Sequence, residues 1–362
     1  MMPDVGGAAG ITVDAEFEVY QDLHSGHLLG HVVARELSDF STKLYAIKSR
    51  FALRRYGVAF MTYPGTDECV RIYVADERLK DLVKKIDPNQ RIIRLVDQDR
   101  RAEFGIALKN GKVVFNIYDP DVTRHRLTRM PYTVEPTLEA LSPVIRGAAH
   151  FYWHRRRTPQ TGRGLARYVE IKATELKQES VTYDEGLKRS IVYGPTGDWK
   201  GGKEVDLQPG KPYGWRIVNN CGESLYPALF YFDNSDWSIS ELQPLVVVMM
   251  LIMQFLVSYY QPPTARGTVD PPLKAKRHLT VGYGDSGSAP YTFFLREGQN
   301  IDVGILKMFL SRKQVNLSHV AQSSPFTSRR GTAEYTPPND RPTDIPLPWD
   351  TVEIPVVQRR SF

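Results

Sequence analysis

Apolar and polar residues alternate with a period of two over much of this chain, and short turn-forming clusters separate the alternating stretches. Residues 11–20 (ITVDAEFEVY) and 31–40 (HVVARELSDF) alternate, residues 44–49 and 51–63 continue the pattern, and 69–75 (CVRIYVA) runs into the amphipathic stretch 76–86 (DERLKDLVKKI). Period-two alternation predicts half-buried strands, and apolar recurrence at three- and four-residue steps predicts a helix, so the local order here is strand then helix. Residues 102–109 and 112–119 flank Asn110-Gly111. Asn-Gly between two alternating runs predicts a two-residue hairpin, because both central residues tolerate positive φ. The stretch 11–132 therefore reads as an N-terminal β-rich domain, a small barrel-like or curled sheet carrying one or two helices.

The period then changes. Leu138, Leu141, Val144, Ile145, Ala148 and Tyr152 recur at helical spacing, which predicts a helix over 135–157 that bridges two halves. It ends at His154–Gly164, where a basic run is followed by Pro and Gly. Beyond it lie short aromatic or alternating stretches: 166–176, 215–220, 225–239 (LYPALFYFDNSDWSI), 259–263 (YYQPP), 279–284, 291–299 and 302–311. Bounded by Asn, Asp, Gly and Pro, they predict an antiparallel β-sandwich over 165–311. Residues 312–348, rich in Ser, Thr, Pro and Arg, read as an irregular loop, and 349–359 (WDTVEIPVV and on) as a closing strand. The fold class is thus mainly β, of α+β type.

One segment breaks the pattern. Residues 244–257 (PLVVVMMLIMQFLV) are 14 nearly uninterrupted apolar positions inside the sandwich, shorter than the roughly 20 needed to span a bilayer. The insertion is bounded at 240–257. Membrane attachment through 245–257 is one reading, and a translated retained intron is the preferred one. The codons of Ser240–Leu242 can hold a splice donor, and those of Phe255–Val257 a pyrimidine tract ending in TAG, with the frame preserved between them. A foreign apolar loop of this kind would favour aggregation.

Composition adds little. The 362 residues are 41% hydrophobic and 24% charged, with mean hydropathy −0.36, as in ordinary globular chains. The net charge of +6 comes from 47 basic and 41 acidic residues interspersed along the length, which reads as a solvated surface, with no nucleic-acid partner expected. Cys69 and Cys221 are far apart and outside any metal-binding spacing. The N-terminus lacks a basic region followed by an apolar core, so no secretory signal is read and a cytoplasmic location is expected.

Candidate chemistry is sparse. His24, His27 and His31 have metal-like spacing, but they fall around a predicted turn where alternation separates His24 from His31, and no metal is expected. Gly284-Asp285-Ser286-Gly287, with Ala148-Ala149-His150 upstream, resembles the serine and histidine motifs of chymotrypsin-like proteases. A serine hydrolase using Ser286 and His150 is the enzymatic alternative. Against it, His150 lies in a predicted helix, no Asp motif intervenes, and Ser288 stands where that family has glycine. His150 and His154 are four apart, but the intervening residues lack the glutamate of a zinc-protease helix. No catalytic, cofactor-binding or metal-binding residue is assigned, and no cofactor is expected.

Longer strings carry a resemblance. Residues 10–20, 28–42, 113–137, 144–157, 225–239, 259–265, 279–284, 291–311, 317–326 and 349–360 together resemble, in order, the region that follows the peptidase domain in caspase-like (metacaspase-type) proteins of basidiomycete fungi. In those relatives the segments matching 225–239 and 259–263 lie almost adjacent, which marks 240–257 as an insertion. Caspase-like peptidases pair a histidine in an SGHG-like motif with a cysteine in a DACHSG-like motif. Here Ser25-Gly26-His27 is followed by Leu28, and the surroundings of neither Cys69 nor Cys221 match, so the dyad is not carried over. The resemblance implies a non-catalytic accessory, regulatory or protein-binding module whose partner is a caspase-like peptidase domain or its substrates.

Overall fold

The structure is a computed structural model, and it describes residues 11–21, 28–38, 41–47, 51–52, 57–63, 65, 69–88, 92–159, 164–183, 189–242, 272–284, 289–315, 317–327 and 349–360. The chain is mainly β, with 49% strand against 17% helix. It divides into two compact units. The first comprises Met1–Gly162, Phe232–Ile239 and Val315–Trp349, and the second Arg163–Tyr231, Ser240–Gln314 and Asp350–Phe362. The helix that the sequence suggests as a bridge belongs wholly to the first unit.

Among the described residues the first unit holds two open sheets rather than a barrel. Strands β1 (Glu16–Tyr20), β2 (Leu28–Leu37), β3 (Thr42–Ala46) and β4 (Val58–Tyr63) form an antiparallel sheet in the order β3-β2-β1-β4. Its inward face gathers Ile11, Ala15, Phe17, Val19, Val32, Ala34 and Leu44 into a core of its own. The second sheet is mixed: β5 (Val70–Val74), β6 (Ile93–Val96), β7 (Phe104–Lys109), β8 (Lys112–Ile117) and β9 (Arg129–Val134), in the order β6-β5-β7-β8-β9. Strand β5 runs parallel to both β6 and β7, and β7, β8 and β9 form an antiparallel meander.

Between β5 and β6 stands α1 (Glu77–Ile86), capped by the Asp76 carboxylate, which accepts from the amides of Arg78 and Leu79. It buries Leu79, Val83 and Ile86. After β9 comes α3 (Leu138–Arg156), capped by Thr137; the short α2 (Pro120–Thr123) lies between β8 and β9. Helix α3 packs against α1 and β5. The predicted hairpin is present: Asn110 and Gly111 have φ of 53° and 77°, and Lys109 pairs with Lys112, as a twist-matched two-residue turn requires.

The hairpin at Asp233–Ser238 places Trp237 in this unit at φ 56° with no solvent exposure. Its ring centroid is 4.6 Å from Phe104, 5.7 Å from Phe115, 6.2 Å from Tyr152 and 5.7 Å from Phe326. Residues 317–327 run alongside. Gln322 exchanges backbone hydrogen bonds with Ile239 and donates from its side chain to the carbonyls of Gly147 and Trp237. The expected irregular loop is therefore tied down as far as residue 327, and 328–348 lie outside the described residues.

The second unit is a sandwich of two sheets. One contains β10 (Val169–Tyr183), β11 (Arg189–Gly201), β13 (Pro212–Asn219), β16 (His278–Val281) and β17 (Tyr291–Thr292), in the order β11-β10-β13-β16 with β17 also on β13. The other contains β12 (Val205–Leu207), β14 (Tyr226–Asp233), β15 (Ile239–Glu241), β18 (Ile301–Ser311) and β19 (Trp349–Arg359), in the order β12-β19-β18-β14-β15. One core draws on both sheets, with Ile171, Tyr213, Trp215 and Ile217 from the first and Leu229, Leu306, Met308 and Val356 from the second. The sandwich is not purely antiparallel, because β12 runs parallel to β19. The expected strand over 291–299 shrinks to Tyr291–Thr292. Residues 349–359 do form a closing strand. Gly304 leaves room on β18 for the ring of Tyr231, which a Cβ would strike. The apolar run at 244–257 lies outside the described residues.

Candidate functional site

Of the residues that look catalytic in the sequence, the structure ties His150 and His154 into local contacts. His150 sits half-buried on α3 and donates from Nε2 to the Val320 carbonyl at 3.0 Å. Desolvation, with Arg157 adding to it, lowers its pKa against the opposing carbonyl bond. Its ring lies 4.4 Å from that of His154, whose Nδ1 accepts from Arg157 at 3.1 Å. His319 lies 5.5 Å from His154. These imidazoles form no metal-binding group among the described residues, and a guanidinium directed at His154 opposes a second cation there. Ser286 lies outside the described residues, as do His24 and His27; His31 is exposed on β2.

Both cysteines are buried. The Cys69 thiol is pushed up mainly by burial, which favours the unreactive protonated form. Nearby, Glu103 is 8% exposed and accepts from the Arg71 amide at 2.6 Å, from Arg71 Nη2 at 2.8 Å and from Arg156 Nη1 at 3.1 Å. This cluster fastens the start of β5 to β7 and to the end of α3. In the second unit Lys307, with no exposure, pairs with Glu353 at 2.8 Å. Both are structural ion pairs.

Among the described residues, a shallow recess lies on the outward face of the mixed sheet. Strands β7 and β8 turn Phe104, Ile106, Val113, Phe115 and Ile117 inward, each at most 2% exposed. Alternation then turns Ala107, Lys109, Lys112, Val114 and Asn116 outward. Pairing places Thr133 opposite Val114 and Arg129 opposite Asn116. The result is a recess of about 360 Å³ lined by Lys109, Asn110, Lys112, Val114, Arg129 and Thr133.

Val114 forms an apolar floor only 5% exposed, although it faces outward. Among the described residues no carboxylate lines the recess; Glu135 pairs with Lys112 beside it at 3.4 Å. Further along the same face, Tyr118 lies over Gly105, where a Cβ would strike its ring, and contacts Tyr73 edge-on at 6.4 Å.

Sequence reading missed this site because Lys109, Lys112 and Arg129 look like scattered surface charges. Only the Asn-Gly hairpin, which fixes Lys109 opposite Lys112, was there to find. Comparison with protein-family models, curated proteins and solved structures gives no match to this chain.

Proposed function

We propose that this chain is a non-catalytic, cytoplasmic accessory module that binds a protein partner, of the kind that stands beside a caspase-like cysteine peptidase domain. The observation that carries the reading is the open, cation-lined recess on strands β7, β8 and β9. Its polar side chains project from paired strands of one sheet, as those of recognition surfaces often do. The condition of His150 and Cys69 supports the same reading: one is committed to a carbonyl and the other is held as a thiol. Among the described residues no helix is long and apolar enough to cross a membrane.

Two measurements test it. A fluorophosphonate probe should leave the wild type and Ser286→Ala equally unlabelled, and labelling of the wild type that is lost in Ser286→Ala would establish the hydrolase instead. Sequencing the transcript together with the upstream DNA should reveal a caspase-like reading frame joined by splicing. A transcript without such a frame removes the peptidase from the proposal.

A further inference from the structure

We infer that the recess on β7, β8 and β9 takes an extended acidic peptide carrying two carboxylates four residues apart, an inference that rests on the protein-binding reading above and names the chemistry of the partner. The cations stand at two poles. Lys109 and Lys112 are directly opposed at the hairpin end, and Arg129 is registered against Asn116, four residues further along β8. At the strand rise that interval is about 13 Å, which is also the span of four residues in an extended peptide. A peptide lying along β8 with acidic side chains at its first and fifth positions therefore meets a cation at each pole.

Val114, with Thr133 beside it, lies between the poles and accommodates small apolar or hydroxyl side chains. Lys109 and Arg129 have no ion-pair partner among the described residues, and Lys112 has only Glu135, with both members of that pair more than half exposed. The strand itself argues against main-chain addition as the binding mode. Pro131 within β9 removes an amide from the edge, so recognition falls to side chains. The poles are few and bounded by Glu135, and a nucleic-acid track needs a longer row of cations to neutralise successive phosphates.

Fluorescence anisotropy with synthetic peptide pools tests this directly. One pool fixes Glu at the first and fifth positions, with Gly, Ala, Ser or Val between them. A second replaces both Glu by Gln, and a third places the two Glu side by side. The spaced-Glu pool should bind about tenfold or more tightly than either control, weakening as salt is raised. Arg129→Gln and Lys109→Gln should each lose about tenfold, whereas Glu135→Gln, which removes the built-in competitor for Lys112, should gain severalfold. Unchanged thermal melts will show that these surface variants fold.

Equal binding of the three pools, indifference to Arg129→Gln, or tighter binding of a single-stranded oligonucleotide would each overturn the inference. If a peptidase domain found through the transcript binds wild type and Arg129→Gln equally, the recess is excluded while the accessory-module reading stands. If no such domain exists but the spaced-Glu pool binds as expected, the recess stands and the peptidase association falls.

Discussion

A histidine that donates to a backbone carbonyl and has an arginine as its charged neighbour gains little by taking up a proton, and His150 is in that position. Its folded pKa lies below the ordinary 6.5, so the unfolded chain binds a proton more readily than the native one. The sign follows. This contribution is complete above pH 6.5 and is lost progressively as pH falls from there towards the depressed folded value. Denaturant melts at pH 7.5 and at about pH 5.5 should show wild type losing stability on acidification, and His150→Gln losing less. An equal loss in both proteins would show that His150 does not sense pH. The motif around His150 was legible as letters, but its meaning depended on Val320, 170 residues away in sequence, whose carbonyl fills the valence a catalytic histidine would keep for a hydroxyl.

Strands announce themselves when alternation and turn chemistry agree. Strands β7 and β8 were readable for that reason, and α1 because Asp76 caps an amphipathic run. Strand β11 was not, because Gly194, Pro195, Gly197 and Asp198 are residue types that strands disfavour. It survives as an edge strand, where a missing amide costs no ladder bond, and it absorbs Gly197 at φ 95°. The apolar run lies outside the described residues, but its flanks do not. The Leu242 amide donates to the Leu229 carbonyl, and Leu273 pairs with Leu225, so these two flanking points are about 13 Å apart along one line of residues.

Ser240-Glu241-Leu242-Gln243-Pro244 and Ser258-Tyr259-Tyr260-Gln261-Pro262 share Ser, Gln and Pro in register. Deleting 240–257 would set Ser258 in the place of Ser240 and Tyr260 in the core position of Leu242. It would also replace Glu241, whose carboxyl burial pushes up, by Tyr259. The deletion variant should therefore remain folded, with a melting temperature equal to or above that of the full chain and less aggregation on heating. An unfolded or molten product would show that 240–257 is integral to the sandwich.

Contiguous domains were the natural expectation from the sequence, since 11–132 and 165–311 differ in pattern. The structure instead completes the first unit with two later segments, Phe232–Ile239 and Val315–Trp349. No periodicity signals this, because the information lies in long-range packing: Trp237 and Phe326 are ordinary aromatics until Phe104, Phe115, Tyr132 and Tyr152 surround them. The consequence can be measured. Truncating one buried Trp typically costs about 3–5 kcal/mol, and a whole domain is commonly stable by only about 5–15 kcal/mol. A fragment ending at Gly162 lacks Trp237, Phe326, the Gln322 hydrogen bonds and the Val320 carbonyl together. It should retain far-ultraviolet circular dichroism from its local hairpin and helices, lose its near-ultraviolet signal, bind a hydrophobic dye and melt without a cooperative transition. Trp237→Ala in the full chain should give a milder form of the same loss, of about 3–5 kcal/mol in denaturant melts. If the fragment melts sharply at the temperature of the full chain, residues 1–162 carry their own core, and the later segments are decoration on a domain that was contiguous after all.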